Sequence, residues 1–273
     1  MKRVGILRGG TGKNYKSSLK EGGNIIAYIL ENLGDKYKTS DILVDRKGVW
    51  HLNGIPIMPA DLIHKVDVVW NVAYPQASSV LQSFSIPHIS QSHFSSALEN
   101  SREMLREHME SIGVGMSRRV VAPEAARDVL EKFGAPWIVK SGSEVRIIKI
   151  FNELADVING GGDIIVEEFI GGVPGAVHSV LNFRDENIYA IPPSGLTAKE
   201  KKNVRYLAKN LHTHLGAQHY LKTDFVLHPK RGFFITNIDF SPDLRANSHF
   251  EQACQSVGAE MHHLMEHMLE SVQ

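Results

Sequence analysis

The chain has 273 residues, of which 42% are hydrophobic and 22% charged, as in an ordinary globular protein with a sizeable core. Its 30 basic and 30 acidic residues cancel, and no basic block favours nucleic acid or an anionic membrane surface. No apolar run reaches membrane-spanning length, and the single cysteine excludes an internal disulfide. We therefore expect a cytoplasmic protein that binds neither nucleic acid nor membrane.

The first third of the sequence alternates strands and helices. A strand at 3–7 leads into a glycine turn, and Ser17 or Ser18 is expected to cap a helix that ends near Leu33. Further strands are predicted at 37–44, 67–72 and 86–89, with a helix at 76–84 and a small hairpin turning on Asn53-Gly54. This α/β alternation predicts a doubly wound, parallel N-terminal domain over residues 1–92.

The glycine turn Gly9-Gly10-Thr11-Gly12 does not have the spacing of a phosphate-binding loop. A Walker loop needs a glycine five residues before its Gly-Lys pair, where this chain has Leu7, and Ser or Thr after the lysine, where it has Asn14. The turn therefore predicts a tight entry into the first helix and no nucleotide site of its own.

The remainder divides into two further predicted domains. Residues 93–176 mix helices and short strands, beginning with one helix from Ser95 to about Ser111. Residues 177–273 carry two strands, a long helix at 198–214, a hairpin and one final helix from about 250 to 270.

The hairpin from Lys222 to Pro242 is the most informative stretch. Asp224 lies near the start of its first strand, and Asn237 and Asp239 lie near the end of its second. The start of one antiparallel strand lies beside the end of the next, and residues two apart share a face. Three oxygen-bearing side chains are therefore expected to converge, and such ligands suit Mg²⁺.

This hairpin, followed by the polar loop Ser-Pro-Asp-Leu-Arg-Ala-Asn-Ser, resembles the metal-binding hairpin and substrate loop of the D-alanine–D-alanine ligase family of ATP-grasp enzymes. The stretch Leu7-Arg8-Gly9-Gly10-Thr11 resembles the opening of the same family, and further motifs follow in family order along nearly the whole chain. The resemblance implies a two-subdomain ATP-grasp fold, at 93–176 and 177–273, after the doubly wound domain.

The resemblance also implies a reaction. Mg²⁺ and ATP would sit between the central and C-terminal domains, and a carboxylate would attack the γ-phosphate to give an acyl phosphate. An amine would then form the amide, with ADP and phosphate released. The implied substrates are small amino acids such as D-alanine, joined into a dipeptide for the peptidoglycan of the cell wall, and the implied assembly is a homodimer.

Five residues are implied in nucleotide binding. Lys140 ends the strand Pro-Trp-Ile-Val-Lys, where the family has a phosphate-binding lysine, and Arg102 matches an earlier nucleotide lysine. The segment containing Glu167 is expected to be an edge strand, with Glu167 accepting from the adenine amine and Phe169 and Ile170 supplying backbone groups and an apolar wall.

Five further residues are implied in metal binding and catalysis. Lys222 replaces an arginine that stabilises charge on the reacting acyl phosphate. Asp224, Asn237 and Asp239 would bind Mg²⁺, with Asn237 in place of a glutamate and Asp239 in place of an asparagine. Ser248 matches the serine that holds the acceptor's carboxylate.

Several departures from the family keep two alternatives open. Lys16 stands near the place of an acid that binds the first D-alanine's ammonium, which favours an ATP-grasp ligase with another amino acid or peptide substrate. The loops at 73–76, 141–144 and 192–195 are shortened. Since such loops exclude water and complete a site, their loss favours a degenerate protein that binds nucleotide or a partner.

Overall fold

The computed structural model describes residues 1–141 and 144–272. They form two compact units, the first made of residues 1–104, 176–223 and 238–272, and the second of residues 105–141, 144–175 and 224–237. The strands are β1 (Lys2–Gly9), β2 (Tyr37–Val44), β3 (Trp50–Leu52), β4 (Ile55–Ile57), β5 (Val68–Asn71), β6 (His88–Ile89), β7 (Arg119–Val121), β8 (Trp137–Ser141), β9 (Glu144–Ile148), β10 (Ile164–Glu168), β11 (Val173–Phe183), β12 (Glu186–Ile191), β13 (Tyr220–His228) and β14 (Gly232–Asp239). The helices are α1 (Tyr15–Asn32), α2 (Gln76–Ser83), α3 (His93–Asn100), α4 (Arg102–Ser111), α5 (Ala126–Lys132), α6 (Phe151–Asn159), α7 (Ala198–His214), α8 (His249–Ser256) and α9 (Met261–Glu270), with a short 3₁₀ helix at Pro59–Leu62.

The first unit contains a six-stranded sheet in the order β4-β3-β2-β1-β5-β6. Strand β1 pairs in parallel with β2 and β5, and β5 pairs in parallel with β6. Strands β3 and β4 add an antiparallel edge, where Asn53 and Gly54 take positive φ angles of 49° and 84° in the predicted two-residue turn.

Both faces of this sheet are buried, as a doubly wound domain requires. Alternate residues of β1 and β5 point to opposite faces, so that Ile6 and Trp70 pack with α1 and the C-terminal helices, while Leu7 and Val69 pack with α2. The prediction of a doubly wound N-terminal domain is confirmed.

The predicted cap of α1 is wrong. The helix begins at Tyr15, and the N-cap residue Asn14 makes no side-chain capping bond. Ser18 is instead buried, and its Oγ accepts a hydrogen bond from the backbone N–H of Gly9 at 2.8 Å. The serine thus holds the glycine turn against the helix.

Two helices predicted as continuous are each broken. The span 95–111 divides at Ser101, whose extended backbone ends α3 and whose Oγ accepts from the N–H of Met104 at 3.3 Å in α4. The span 250–270 divides after Ser256, where Gly258 takes a φ of 66°. Apolar periodicity continues through both breaks, which is why the sequence predicts single helices.

The second unit is built on an antiparallel sheet in the order β7-β10-β8-β9. Helices α5 and α6 cover one face of it, with a core that includes Val129, Trp137, Leu154 and Val166, all at most 1% exposed. The edge strand β9 has four exposed residues, Glu144 to Ile147. The other face of the sheet carries the residues described below.

A third sheet has the order β12-β11-β13-β14. The predicted hairpin is formed by β13 and β14, and its turn is tied by the backbone N–H groups of Lys230 and Arg231, which donate to Nδ1 of His228 at 3.1 Å each. Cys254 is fully buried in α8, as expected for a packing residue, and burial raises the pKa of its thiol to about 12.

Candidate functional site

Lys140, on β8, forms an ion pair with Glu167 of β10 in the second unit. The Lys140 Nζ lies 2.9 Å from Glu167 Oε1, and the two side chains are 30% and 4% exposed. Lys140 is paired with Ile165, and Glu167 lies two residues further along β10, so all three share one face of the sheet. The pair holds a cation in a fixed position on that face.

The rest of this sheet face is mostly apolar and exposed, and it also carries the charged residue Arg119, which is the cross-strand partner of Glu167. Val121 and Val145 lie on the same face because they are paired with Ile165 and Lys140, and they are 55% and 62% exposed. Ile147, two residues after Val145, is 54% exposed. A flat, mostly apolar surface beside a fixed cation is suited to a ligand that combines a planar base with phosphates.

The adenine segment differs from the prediction. Strand β10 lies inside the sheet, between β7 and β8, so the prediction of an edge strand is wrong. Phe169 and Ile170 follow the end of the strand, and the backbone N–H of Phe169 donates to the carbonyl of Pro136 at 3.2 Å. Phe169 is 38% exposed, so its ring is accessible to a base.

Glu168, the next residue after Glu167, is the centre of an ion-pair cluster that the sequence did not predict. Its carboxylate accepts from Arg118 at 2.9 and 3.0 Å and from Arg231 at 2.5 Å. Burial acts to raise the pKa of Glu168, but the two guanidinium groups outweigh burial and lower it to about 2. The cluster fixes the end of β10 within the second unit.

The three predicted metal ligands lie on β13 and β14. Asp224 belongs to the second unit together with Asn237, and Asp239 belongs to the first. Asn237 and Asp239 flank the buried Ile238 and therefore share a face of β14, as predicted. Two carboxylates and one amide are hard oxygen donors that suit Mg²⁺ and leave positions for phosphate oxygens or water.

Lys222 lies on β13 two residues before Asp224, on the same side of the strand. Its charge acts on the loop after β14: hydrogen bonds from Arg245 lower the pKa of Asp243, and Lys222 lowers it further. Lys222 also adds to the effect of burial in lowering the pKa of His178 to about 3. The charge of Lys222 therefore acts on Asp243 in the predicted substrate loop.

Ser248 and Arg102 both lie at the starts of helices. Ser248 is the N-cap of α8, 8% exposed, and its Oγ accepts from the backbone N–H of Glu251 at 3.2 Å. Arg102 is the first residue of α4 and is half-buried. The Ser248 hydroxyl keeps its proton available for a ligand while it caps the helix.

The first unit contains an acidic cleft of about 600 Å³ that the sequence did not predict. Its carboxylates come from Glu21 on α1, Glu99 on α3 and Asp239 at the end of β14, and the described residues that line it include no Lys, Arg or His. Burial raises the pKa of both Glu21 and Glu99 to about 7, and the charge of Asp239 adds to the shift.

The acidic cleft is held together by the backbone that follows β14. Glu99 accepts from the N–H of Phe240 at 3.3 Å and from Nε2 of Gln91 at 3.0 Å. The N–H of Ser241 donates to Asp239 Oδ1 at 2.9 Å, and the Ser241 side chain acts to lower the pKa of Glu21 against the larger effect of burial. Three elements distant in sequence thus meet at residues 239–241.

One local signal for this cleft was present in the sequence. Glu21 follows Ser18 by three residues and precedes Ile25 by four, and both neighbours are buried, so the glutamate falls on the inner side of α1. Lys16, where the sequence suggested a binding role, is exposed and does not line the cleft, whereas Asn14 does. Gly142 and Ser143, in the shortened loop at 141–144, lie outside the described residues.

Comparison with known proteins supports one family. The family model for the D-ala D-ala ligase C-terminus matches residues 178–270. The chain is 20% identical to the D-alanine–D-alanine ligase of Azobacteroides pseudotrichonymphae genomovar. CFP2, with 100% of both chains covered.

Solved structures of such ligases have the same fold. The VanG D-Ala:D-Ser ligase from Enterococcus faecalis has a TM-score of 0.72 at 15% identity, with 98% of each chain covered. The D-alanine–D-alanine ligase from Bacillus anthracis, in complex with ATP, has a TM-score of 0.69 at 16% identity, covering 99% of this chain and 96% of that one.

The chain therefore has the fold of these ligase structures. It resembles D-alanine–D-alanine ligase along nearly its whole length, which confirms the predicted fold class and family resemblance. Among the residues that the structure describes, no helix is long and apolar enough to cross a membrane.

Proposed function

We propose that the chain is an ATP-dependent carboxylate–amine ligase of the D-alanine–D-alanine ligase type, which activates one amino acid as an acyl phosphate and joins it to the amine of a second. The observation that carries this proposal is the open sheet face of the second unit, where exposed apolar side chains lie beside the Lys140–Glu167 pair. The relatives that cover the whole chain add to it.

In this proposal Lys140 and Arg102 hold the phosphates of ATP, and Phe169 and Ile170 border the adenine. Glu167 has a second function, since its carboxylate fixes the ammonium of Lys140. Because a buried carboxylate without its lysine is costly, the pair is expected to persist when nucleotide is absent.

Asp224, Asn237 and Asp239 would hold Mg²⁺, which supplies charge neutralisation to the phosphates when bound. Lys222 balances negative charge on the reacting group, since its charge already acts on Asp243 and His178. Ser248 orients the amine-bearing substrate through its carboxylate. We also propose that the protein is cytoplasmic and forms a homodimer.

Phosphate release from Mg²⁺-ATP, measured with and without D-alanine, tests the ligase function. Release that depends on an amino acid, with a dipeptide product identified by mass spectrometry, is the expected result. A Lys140→Met variant should reduce release about 100-fold or more, whereas Lys149→Met, at an exposed lysine of the same unit, should leave it unchanged. If phosphate release in Lys140→Met depended on amino acids as strongly as in the unmodified protein, the assignment of this site would be contradicted.

A second candidate function is a nucleotide-binding protein without ligase chemistry. The specific observation in its favour is the short connection between β12 and α7, which spans only residues 192–197. This leaves little chain for a loop over the reacting phosphate. ATP binding by calorimetry, with no phosphate release for any amino acid tested, would establish this function in place of the first.

A further inference from the structure

Two buried acids of the first unit have no function in the proposed reaction. Glu21 and Glu99 face the acidic cleft beside Asp239, and no Lys, Arg or His is among the described residues that line it. Lys20 and Arg245 border an adjoining cavity that Glu21 and Asp239 also line, but both are exposed, and Arg245 pairs with Asp243. Water solvates such groups poorly, and proteins usually pair buried carboxylates with a positive charge. A ligand is therefore the natural source of that charge.

A second observation comes from a niche that adjoins the cleft. The niche is bordered by Trp70, Ser90 and Tyr220, and it shares Asn71, Gln91 and Ser241 with the acidic cleft. Ser90 is 7% exposed, and its hydroxyl oxygen has no hydrogen-bond partner. Oε1 of Glu21 is likewise buried without a partner.

A hydrogen-bond donor from a ligand would satisfy both of these groups. An ionised carboxylate only accepts, and a serine hydroxyl can accept as well as donate. An ammonium group brings three donors and the missing positive charge. The Mg²⁺ proposed at Asp239 does not account for Glu21 and Glu99, because among the described residues these three carboxylates are not grouped as a metal site.

We propose that the acidic cleft and the Ser90 niche bind the side-chain ammonium of a basic amino acid, so that one substrate of the ligase is a diamino acid such as lysine or ornithine. This inference rests on the proposed function for the reaction, but it makes a claim about binding alone that can be tested without turnover.

The test compares D-lysine with D-norleucine, which has a side chain of the same length without the amine. Calorimetric binding to the full chain at pH 8, where the amine is still protonated, is measured for both ligands and for their L enantiomers. In at least one enantiomeric pair the lysine is expected to bind about tenfold or more tightly than the norleucine, as a charge-assisted hydrogen bond predicts. Equal affinities in both pairs, or no binding of either lysine, would overturn the proposal.

Variants show whether Glu21 and Glu99 recognise the amine or only hold the backbone of residues 239–241 in place. Glu21→Gln and Glu99→Gln keep the size of each side chain and its accepting oxygen, and they should bring the lysine-to-norleucine affinity ratio close to one, with norleucine binding unchanged. Ser90→Ala should lower the same ratio. Glu186→Gln, at an exposed glutamate paired with Lys209, is the matched control and should leave the ratio unchanged.

The outcomes separate this inference from the proposed function. Selective lysine binding without phosphate release from ATP would support the inference and contradict the ligase. Phosphate release that depends on D-alanine, with no preference for lysine, would support the ligase and overturn the inference. If the Glu→Gln variants lost lysine and norleucine binding in equal measure, the two acids would only hold the backbone of residues 239–241 in place.

Discussion

The two units of this chain each hold buried glutamates, but the glutamates are compensated in opposite ways. In the second unit Glu167 and Glu168 are paired with cations, Lys140 for the first and Arg118 and Arg231 for the second. In the first unit Glu21 and Glu99 lie beside a third carboxylate, Asp239, and their pKa values are raised to about 7. Glu167 and Glu168 therefore stabilise the second unit, whereas Glu21 and Glu99, when ionised, lower the stability of the first.

This difference shows how a buried charge can mark a site. Functional groups are commonly kept in arrangements that cost stability, because the ligand supplies what the protein leaves out. By that criterion the Arg118–Glu168–Arg231 cluster is structural, the Glu21–Glu99 cleft is built for a ligand, and the Lys140–Glu167 pair serves both purposes.

The largest expected effect is on Lys140. Replacement by Met removes the cation from the open sheet face and should reduce phosphate release from ATP by about 100-fold or more, as for loss of a preorganised charge contact. It should also lower the free energy of unfolding by about 2 kcal/mol, because the buried Glu167 carboxylate loses its ion pair with Lys140.

The double variant Lys140→Met, Glu167→Gln separates these two effects. Urea unfolding should recover most of the lost stability, since no unpaired charge remains, while phosphate release should stay low. Recovery of activity together with stability would mean that Lys140 acts only through folding.

Glu168 gives the next largest effect, and it depends on pH. Because its pKa is lowered from 4.5 to about 2, its stabilisation is fully present above pH 4.5 and is lost as the pH falls towards 2. Glu168→Gln should therefore cost about 2 kcal/mol at pH 7, a value reduced for the solvent screening of two partly exposed arginines, and little at pH 2. Urea unfolding at both pH values measures this, with the exposed Glu144→Gln as control. A cost that is equal at both pH values would contradict the ion-pair explanation.

For Glu21 and Glu99 the effect of rising pH on stability should have the opposite sign. A carboxyl group whose pKa is raised from 4.5 to about 7 costs stability as the pH rises through that interval. Glu99→Gln should thus stabilise the protein by about 1 kcal/mol at pH 8 and have little effect at pH 4. If thermal unfolding showed a loss of stability at pH 8, the carboxylate would be as well compensated as Glu168, and the contrast between the units would fail.

Ser248 should give the smallest effect on stability. Loss of its cap should cost about 0.5–1 kcal/mol, the usual cost for an N-cap serine. The proposed contact with substrate predicts in addition a higher KM for the amine-bearing substrate. Thr197→Ala, which removes the cap of α7 in the same unit, is the matched control and should cost stability with KM unchanged.

The elements predicted most accurately from the sequence are those defined by a short local pattern of residues. The strand Trp137–Ser141 and the hairpin β13–β14 have short alternating patterns, and the residues placed on them by resemblance, Lys140 and Asp239, lie where their strands end. The breaks at Ser101 and Gly258 were missed, because apolar periodicity continues across both.

Interactions between distant segments account for the rest. Glu21, Glu99 and Ser241 carry no motif, and only the folded chain brings them to the same cleft. The interior position of β10 was missed for a similar reason. Its partner β7 is contributed from a segment about 45 residues earlier in the chain, and a strand's own composition does not reveal whether one or both of its edges are paired.

Strand β9 has a consequence for how copies of this chain behave in concentrated solution. As the last strand of its sheet it presents unpaired backbone groups on one side, and its exposed Val145 and Ile147 would make it a template for aggregation by strand addition. Glu144 and Arg146 alternate with them and pair with each other at 2.6 Å. A foreign strand would have to desolvate both charges, so the alternation protects the edge against aggregation while it leaves the apolar face open.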